Sequence, residues 1–204
     1  MKNNDIILIG YSGHAYVVID ALYANDYNII GYCDNEEKPY NPFELKYLGQ
    51  ESEEILQDNQ WIIGIGDNAI REKIYYKYQH VGTPGYVIYN ESDQGLMSAI
   101  GAGTYVGAGA VLNTLAEVGI GSIVNTGAIV EHECQIGNFV HIAPGAVLAG
   151  NVTVGDRTFI GANAVVKQGV SIGRDVIVGA GTVVLNDIPE GVTVVGNPGN
   201  ILTK

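Results

Sequence analysis

The chain has 204 residues and a formal net charge of −12, long enough for one large or two small domains with a real core. That acidity argues against general nucleic-acid binding, which needs clustered Lys and Arg on phosphate. No basic-plus-apolar leader and no run of 18 apolar residues appears, and Cys33 and Cys134 are far apart without a CxxC spacing. Neither export nor membrane spanning is expected, and the cysteines read as reduced thiols of a cytoplasmic protein.

The first half reads as strands alternating with helices. DIILIG (5–10) is an apolar strand, Gly10-Tyr11-Ser12-Gly13-His14 a glycine-rich turn, and AYVVIDALYAN a helix by period. NIIGYCDN (28–35) is a second strand ending at Asp34, and WIIGIGDN (61–68) a third. AIREKIYYKYQHVG follows as a second helix, and GYVIY (85–89) as a short strand leading out. Alternation of this kind predicts a Rossmann-like parallel sheet over residues 1–82. Ser12/His14, Asp34 and Asp67/Asn68 then fall at one sheet edge, where such folds take ligands. The turn can offer backbone N–H groups to a phosphate, and an acid closing the second strand can accept from a ribose or base. GYSGHA lacks the third glycine of GxGxxG, so it points to a nucleotide more than to a dinucleotide.

Past a linker over 83–97 the sequence changes character. Stepping by six from Ile100 meets Val106, Leu112, Val118, Val124, Val130, Ile136, Ile142, Leu148, Val154, Ile160, Val166, Ile172, Val178 and Val184: fifteen aliphatic residues without a slip. Four places after each hit sits a mostly small or β-branched residue, and many of the 28 glycines come directly after the hit. A period of six fits neither a helix nor a plain strand. It fits short strands joined by turns, three sides closing a triangular coil of eighteen residues. This pattern resembles the hexapeptide repeat of left-handed β-helix acyltransferases. It predicts a left-handed parallel β-helix over 98–190 and a capping segment over 191–204. The fold class expected is α/β plus β-solenoid.

Together, GxSGH, GYCDN, GIGDNxxR and NTGAIVEHE resemble the bacterial sugar acetyltransferases that N-acetylate nucleotide-linked 4-amino sugars, and their sialic acid O-acetyltransferase-like relatives. The resemblance spans essentially the whole chain. It implies direct transfer from acetyl-CoA, without an acyl-enzyme, to the 4-amino group of a UDP-, dTDP- or GDP-linked 4-amino-4,6-dideoxy sugar. O-acetylation of sialic acid is the alternative within the fold. A non-catalytic β-helix binding protein is a third reading, which leaves the nucleotide-type domain unexplained. The resemblance also implies a homotrimer with its active site between subunits.

The family's general base falls on His132, with Glu133 orienting or tuning it and Asn125 near the reacting centre. By residues alone, Glu131 is an alternative to Glu133. His132 stands third in its hexad, near a turn and outward, with Gly150 one coil on leaving space that a thioester would fill. The resemblance assigns acetyl-CoA contacts to His141, Gly150, Ala162 and Ala180, with Arg157, Lys167 and Arg174 as candidate phosphate partners. It assigns the nucleotide sugar to Gly10, Ser12, Gly13, His14, Asp34, Asn35, Asp67 and Asn68; Arg71 reads as structural. His141 stands last in its hexad, too far around the prism to pair with His132 of the same chain. Two histidines fall short of the three protein ligands of a catalytic zinc, so no metal is expected. Cys134 fills a small inner position and reads as core.

Overall fold

In the computed structural model, residues 4–90 and 92–202 are described; the expected segments extend beyond them at 1–3, 91, 203 and 204. The N-terminal part is a four-stranded parallel sheet. Its strands are β1 (Asp5–Ile9), β2 (Asn28–Cys33), β3 (Gln60–Ile63) and β4 (Thr83–Pro84), in the order β2-β1-β3-β4. Helix α1 (Gly13–Ala24) connects β1 to β2; a short α2 (Glu53–Leu56) precedes β3, and α3 (Asn68–Tyr78) follows it. The strands are continuous apolar runs because both faces are covered. Ile6 and Leu8 share one core with α1, while Ile7 and Ile9 share another with Trp61, Tyr75 and Tyr78. The connections leave β1 in opposite directions, so a crevice opens beyond the carboxyl ends of β1 and β3.

The second part is a left-handed parallel β-helix of two-residue strands. Each rung pairs in register with the residue eighteen places on, as in Tyr105↔Ile123↔His141↔Phe159↔Ile177. The inward residues of successive hexads form one continuous core from Val106 to Val194. Small inner places keep the corners narrow, and where they carry a hydroxyl it is used. Ser122 Oγ donates to Gly137 O at 3.0 Å and accepts from Val140 N at 3.0 Å. The fourth place of nearly every hexad turns the corner with a left-handed φ, from Met97 (63°) to Gly181 (66°).

The helix begins earlier than its aliphatic pattern. Val87–Ile88 pairs with Tyr105–Val106 and Asp93–Gln94 with Val111–Leu112, inside the segment expected to be a linker. Gln94 breaks the pattern because it ends the stack and is exposed, with no coil beneath it to demand an apolar side chain. Likewise Thr193–Val195, inside the expected cap, adds a rung beside Ile177–Val178. Antiparallel Asn200–Ile201 then covers that edge.

The prism's three faces differ in chemistry. One projects Ala99, Glu117, Gln135, Thr153 and Ser171, all exposed. A second projects Val111, Ile129, Val147, Val165 and Val183, an apolar row that nothing else in the chain covers fully. The third carries Val87, Tyr105 and Ile123, which join the core beneath α1. The N-terminal domain therefore sits on this third face and the corner leading into it.

Arg71 fastens that contact. The residue is 1% exposed, and its guanidinium has no carboxylate partner among the described residues. Nε donates to Gly121 O at 2.5 Å, Nη1 to Ile65 O and Gly66 O, and Nη2 to Asn68 Oδ1 at 2.8 Å and Phe139 O at 3.1 Å. Asn68 in turn donates to Arg157 O and Thr158 O. Burial lowers the Arg71 pKa to about 9. Arg71→Met should leave several carbonyls unpaired, each costing about 1–3 kcal/mol. The expected result is a marked drop in unfolding midpoint; a midpoint matching wild type would show that the staple contributes little.

Candidate active site

His132 and Glu133 occupy the third and fourth places of one hexad, at the corner between the polar and the apolar face. Glu133 takes the left-handed conformation there (φ 61°) and is exposed. Its Oε2 lies 3.0 Å from His132 Nδ1, which fixes the ring and leaves Nε2 without a partner among the described residues. Glu131 does something else: its Oε2 accepts from His132 N at 3.2 Å and from Asn113 Nδ2 at 3.0 Å, bracing the backbone. Of the two glutamates, Glu133 touches the imidazole. Gly150 is needed one coil on, because a Cβ there would stand 2.5 Å from His132 Cε1 and Nε2. The expectation of open space above His132 is therefore corrected. The imidazole itself lies across Gly150 and fills that space.

His141 departs from its expected setting. It points outward from the prism, but onto the face that the N-terminal domain covers, and is 9% exposed. Its Nδ1 lies 3.3 Å from Gly66 O and its Nε2 3.2 Å from Asn125 Nδ2. Asn125 Oδ1 accepts from Thr126 N, so its NH₂ faces the ring and His141 is the neutral Nδ1–H tautomer. His14 is also drawn into this junction. Its ring is 5.9 Å from that of His141 and 5.3 Å from that of Tyr105, and its buried Nε2 has no partner among the described residues. Burial, and then the facing Arg71, lower the His141 pKa to about 4; burial, His141 and Arg71 lower that of His14 to about 3. Ala162 and Ala180 lie one coil apart along the corner next to Asn125, across the apolar face from His132 and Gly150. Of the basic residues expected near CoA, Arg157 is held by Asp175 and Glu72, and Arg174 by Glu190.

The crevice at the sheet edge has a volume of about 340 Å³ and is lined by Gly10, Ser12, Asp34 and Asn35, as expected. Gly10 turns with φ 87°, and a Cβ there would collide with Ile65. Ser12 caps α1 by its backbone alone, so its hydroxyl is uncommitted. Asp34 is more occupied than expected. It accepts from Tyr11 N at 3.0 Å and Asn35 N at 2.8 Å and pairs with Lys38 at 3.0 Å, tying the glycine turn to β2.

Gly13 and His14 do not line the crevice: Gly13 is exposed at the start of α1, and His14 is turned into the junction. Asp67 and Asn68 do not either: Asp67 Oδ1 caps α3 by accepting from Ile70 N, and Asn68 is spent on the β-helix. Lys73 and Lys77 line the crevice and were not singled out in the sequence. Their spacing of four on one face of α3 was the available signal. Among the described residues no three of His, Cys, Asp and Glu gather as a metal-ligand set, and no helix is long and apolar enough to cross a membrane. Cys134 is fully buried, and burial raises its thiol pKa.

Both junction histidines titrate lower folded than unfolded, so between roughly pH 6 and pH 4 the unfolded chain holds more protons. Their contribution is complete at neutral pH and is lost as pH falls, by about 1.4 kcal/mol per pH unit for each proton taken up. A His14→Gln/His141→Gln variant should show a flatter fall of unfolding midpoint between pH 7 and pH 4 than wild type. Parallel curves would place the acid sensitivity elsewhere.

Comparisons with known proteins agree with this architecture. The PglD N-terminal domain family matches residues 5–78, and the hexapeptide repeat of succinyl-transferase matches residues 145–186. No curated protein sequence matches the chain. Among solved structures, the acetyltransferase domain of PglB from Neisseria gonorrhoeae FA1090 is 32% identical over 98% of this chain and 100% of that one, with a TM-score of 0.90. PerB from Caulobacter crescentus, solved in complex with CoA and GDP-perosamine, is 33% identical over 98% of this chain and 97% of its own, with a TM-score of 0.92. WeeI from Acinetobacter baumannii AYE is 27% identical over 97% and 99%, with a TM-score of 0.86. A PglD-type domain seated on a left-handed hexapeptide helix, with two relatives above 30% identity along nearly the full chain, places this protein in the family of acetyl-CoA-dependent sugar acetyltransferases.

Proposed function

We propose that the protein transfers an acetyl group from acetyl-CoA to the 4-amino group of a nucleotide-linked 4-amino-4,6-dideoxy sugar, with His132 as general base. The observation that carries this reading is the His132–Glu133 pair. Nδ1 is held at 3.0 Å by a carboxylate while Nε2 is left open at the prism's corner. Glu133 keeps the Nδ1–H tautomer and so presents the Nε2 lone pair; it also steadies the imidazolium once the proton is taken. As the amine attacks the thioester carbonyl, Nε2 removes its proton; the tetrahedral intermediate then collapses by breaking the C–S bond, and the imidazolium returns that proton to the departing thiolate, giving amide and CoA thiol. A base so placed contributes about 10²–10⁴ in rate.

The nucleotide belongs in the crevice beyond β1 and β3. There the Ser12 hydroxyl, the first N–H groups of α1 and the ammonium groups of Lys73 and Lys77 meet phosphate, and Asn35 meets the base or ribose. PerB, 33% identical, was solved with CoA and a GDP-linked amino sugar, which supports the same division of labour here.

Within one chain the parts are divided between two corners. His132, Glu133 and Gly150 flank one edge of the apolar face, and Asn125, His141, Ala162 and Ala180 flank the other. Further copies seated on that face would set one edge against the other, so the site is completed in a homotrimer. Acetyl-CoA then runs along the seam past Gly150 of one copy and the Ala162–Ala180 corner of the next.

Thiol release from acetyl-CoA, measured against UDP-, dTDP- and GDP-linked 4-amino sugars and sialic acid, tests the reading. Release is expected with one nucleotide 4-amino sugar, and release with none of them would sink it. His132→Ala should lower kcat by about 10²–10⁴ with the oligomer intact. Glu133→Gln should cost less, since it keeps a hydrogen-bond partner but not the charge. Wild-type turnover in His132→Ala would remove the base from the mechanism.

A further inference from the structure

We infer that Leu115, with Met97 beneath it, is a specificity-determining shelf that takes the methyl-bearing edge of the acceptor sugar; this rests on the function proposed above. The observation is one of backbone cost against side-chain use. The fourth place of the hexad is left-handed throughout the coil, and glycine, asparagine or aspartate fills it at most corners. A bulky side chain there is a true outlier, of order 1–3 kcal/mol, that persists where something requires it.

Five residues of the β-helix carry that cost: Met97, Leu115, Glu133, Phe139 and Arg157, with φ between 55° and 63°. Three have visible employment. Glu133 holds His132, Phe139 packs between Tyr75 and Tyr76 at the domain junction, and Arg157 binds Glu72 and Asp175. Met97 and Leu115 touch nothing comparable. They stand 79% and 41% exposed, side by side with Leu96 at 84%. Isolated exposed apolar side chains are ordinary, but a contiguous group held in an unfavourable conformation is not.

Their position supplies the occupant. Residues 97, 115 and 133 are eighteen apart, one column on one corner, so Leu115 lies one coil (about 4.8 Å) from Glu133 and Met97 two. An amine within hydrogen-bond reach of His132 Nε2 projects its ring over the neighbouring coil on one side. On the carboxyl-terminal side the His132 ring lies against Gly150, which closes that direction. The amino-terminal side is left for the acceptor, and it is there that the corner turns apolar. The N-terminal domain, which holds the nucleotide, spans the same range of coils, from Val87, Tyr105 and Ile123 to Phe139 and Thr158. A 4-amino-6-deoxy sugar carries one apolar substituent, the methyl carbon C6, attached to the ring carbon next to the amine-bearing one. An exposed Leu–Met shelf beside the base suits that methyl and disfavours a hydroxymethyl in its place.

The test pairs two acceptors that differ only at that carbon, 6-deoxy and 6-hydroxy, on the same nucleotide. Asparagine is at ease in the left-handed region, so Leu115→Asn and Met97→Asn relieve strain and should fold. The wild type should favour the 6-deoxy acceptor in kcat/KM by about tenfold or more, the low end for a buried methyl. Leu115→Asn should bring the ratio near one, and Met97→Asn should lower it part-way. A ratio unchanged in both variants overturns the shelf, and a fall in oligomer mass with the ratio unchanged assigns these side chains to a subunit contact instead. Release of CoA with neither acceptor, nor with any other nucleotide amino sugar, overturns the proposed function and the shelf together, whereas release with an unchanged ratio overturns the shelf alone.

Discussion

Everything in the β-helix follows from one constraint: eighteen residues must close a coil whose rungs pair in register with the coils above and below. Once Val130, Ile136 and Ile142 point inward, the place of every other residue is settled. The fifth place must be small or β-branched, and the fourth must accept a left-handed φ. Only the second, third, fourth and sixth places can carry chemistry, and they stand in columns repeating every coil. Function is written into such a scaffold by choosing which column to interrupt. At one corner the run of turn residues gives way to His132 and Glu133, and the opposing place in the next coil is emptied to Gly150 so that the ring can lie down. Evolution of a site on this scaffold needs no change of backbone, because the coil already supplies the direction of each side chain.

The second constraint is the seating of the N-terminal domain, and here a buried cation does the fastening. A guanidinium taken from water without a carboxylate is costly unless its donors are met. Arg71 meets carbonyls from both domains, among them Gly66, Gly121 and Phe139, so its desolvation is offset only when the two domains are in place together. Its charge has a further effect across the junction, where it faces His141 and His14 and disfavours their protonation. The neutral tautomer of His141 is thus secured twice, by Gly66 O and Asn125 on its nitrogens and by the cation nearby. A neutral, fully bonded junction sets the crevice at the sheet edge at one distance from the coils.

Legibility in the sequence tracked the distance over which each contact acts. The His132–Glu133 contact joins neighbours in sequence, and the hexad register alone says which way each points; Cys134 was readable as core for the same reason. The aliphatic column was readable over its length but not at its ends, since Gln94 and the 191–202 rungs face only one coil and escape the rule. The surroundings of His14 and Asn68 were not legible because they are long-range, whereas Asp67 caps its own helix. Asn68 bonds residues 89 and 90 places away, and His14 lies against residues beyond position 100. A motif such as GIGDNxxR gives the order of these residues but not the face onto which the domain folds, and that face decides whether they meet a ligand or a partner domain. Lys73 and Lys77 were passed over because a pair of lysines on a helix reads as solvated surface until the crevice beneath them is seen.

The three faces of the prism complete the logic. One is polar and open, one is covered by the chain's own domain, and the third carries an unbroken valine and isoleucine row from 111 to 183. Charge or amide on that third row would cost nothing to the coil, because these side chains point away from the core; the polar face shows that Glu, Gln, Thr and Ser are all tolerated at the equivalent place. The row is therefore apolar for a reason outside the single coil. Its edges are the two corners that carry the proposed half-sites, the base on one and the Ala162–Ala180 seam on the other. Burying that row against further copies would bring the base and the seam together by the same association that covers the row, so assembly and completion of the site would be one event.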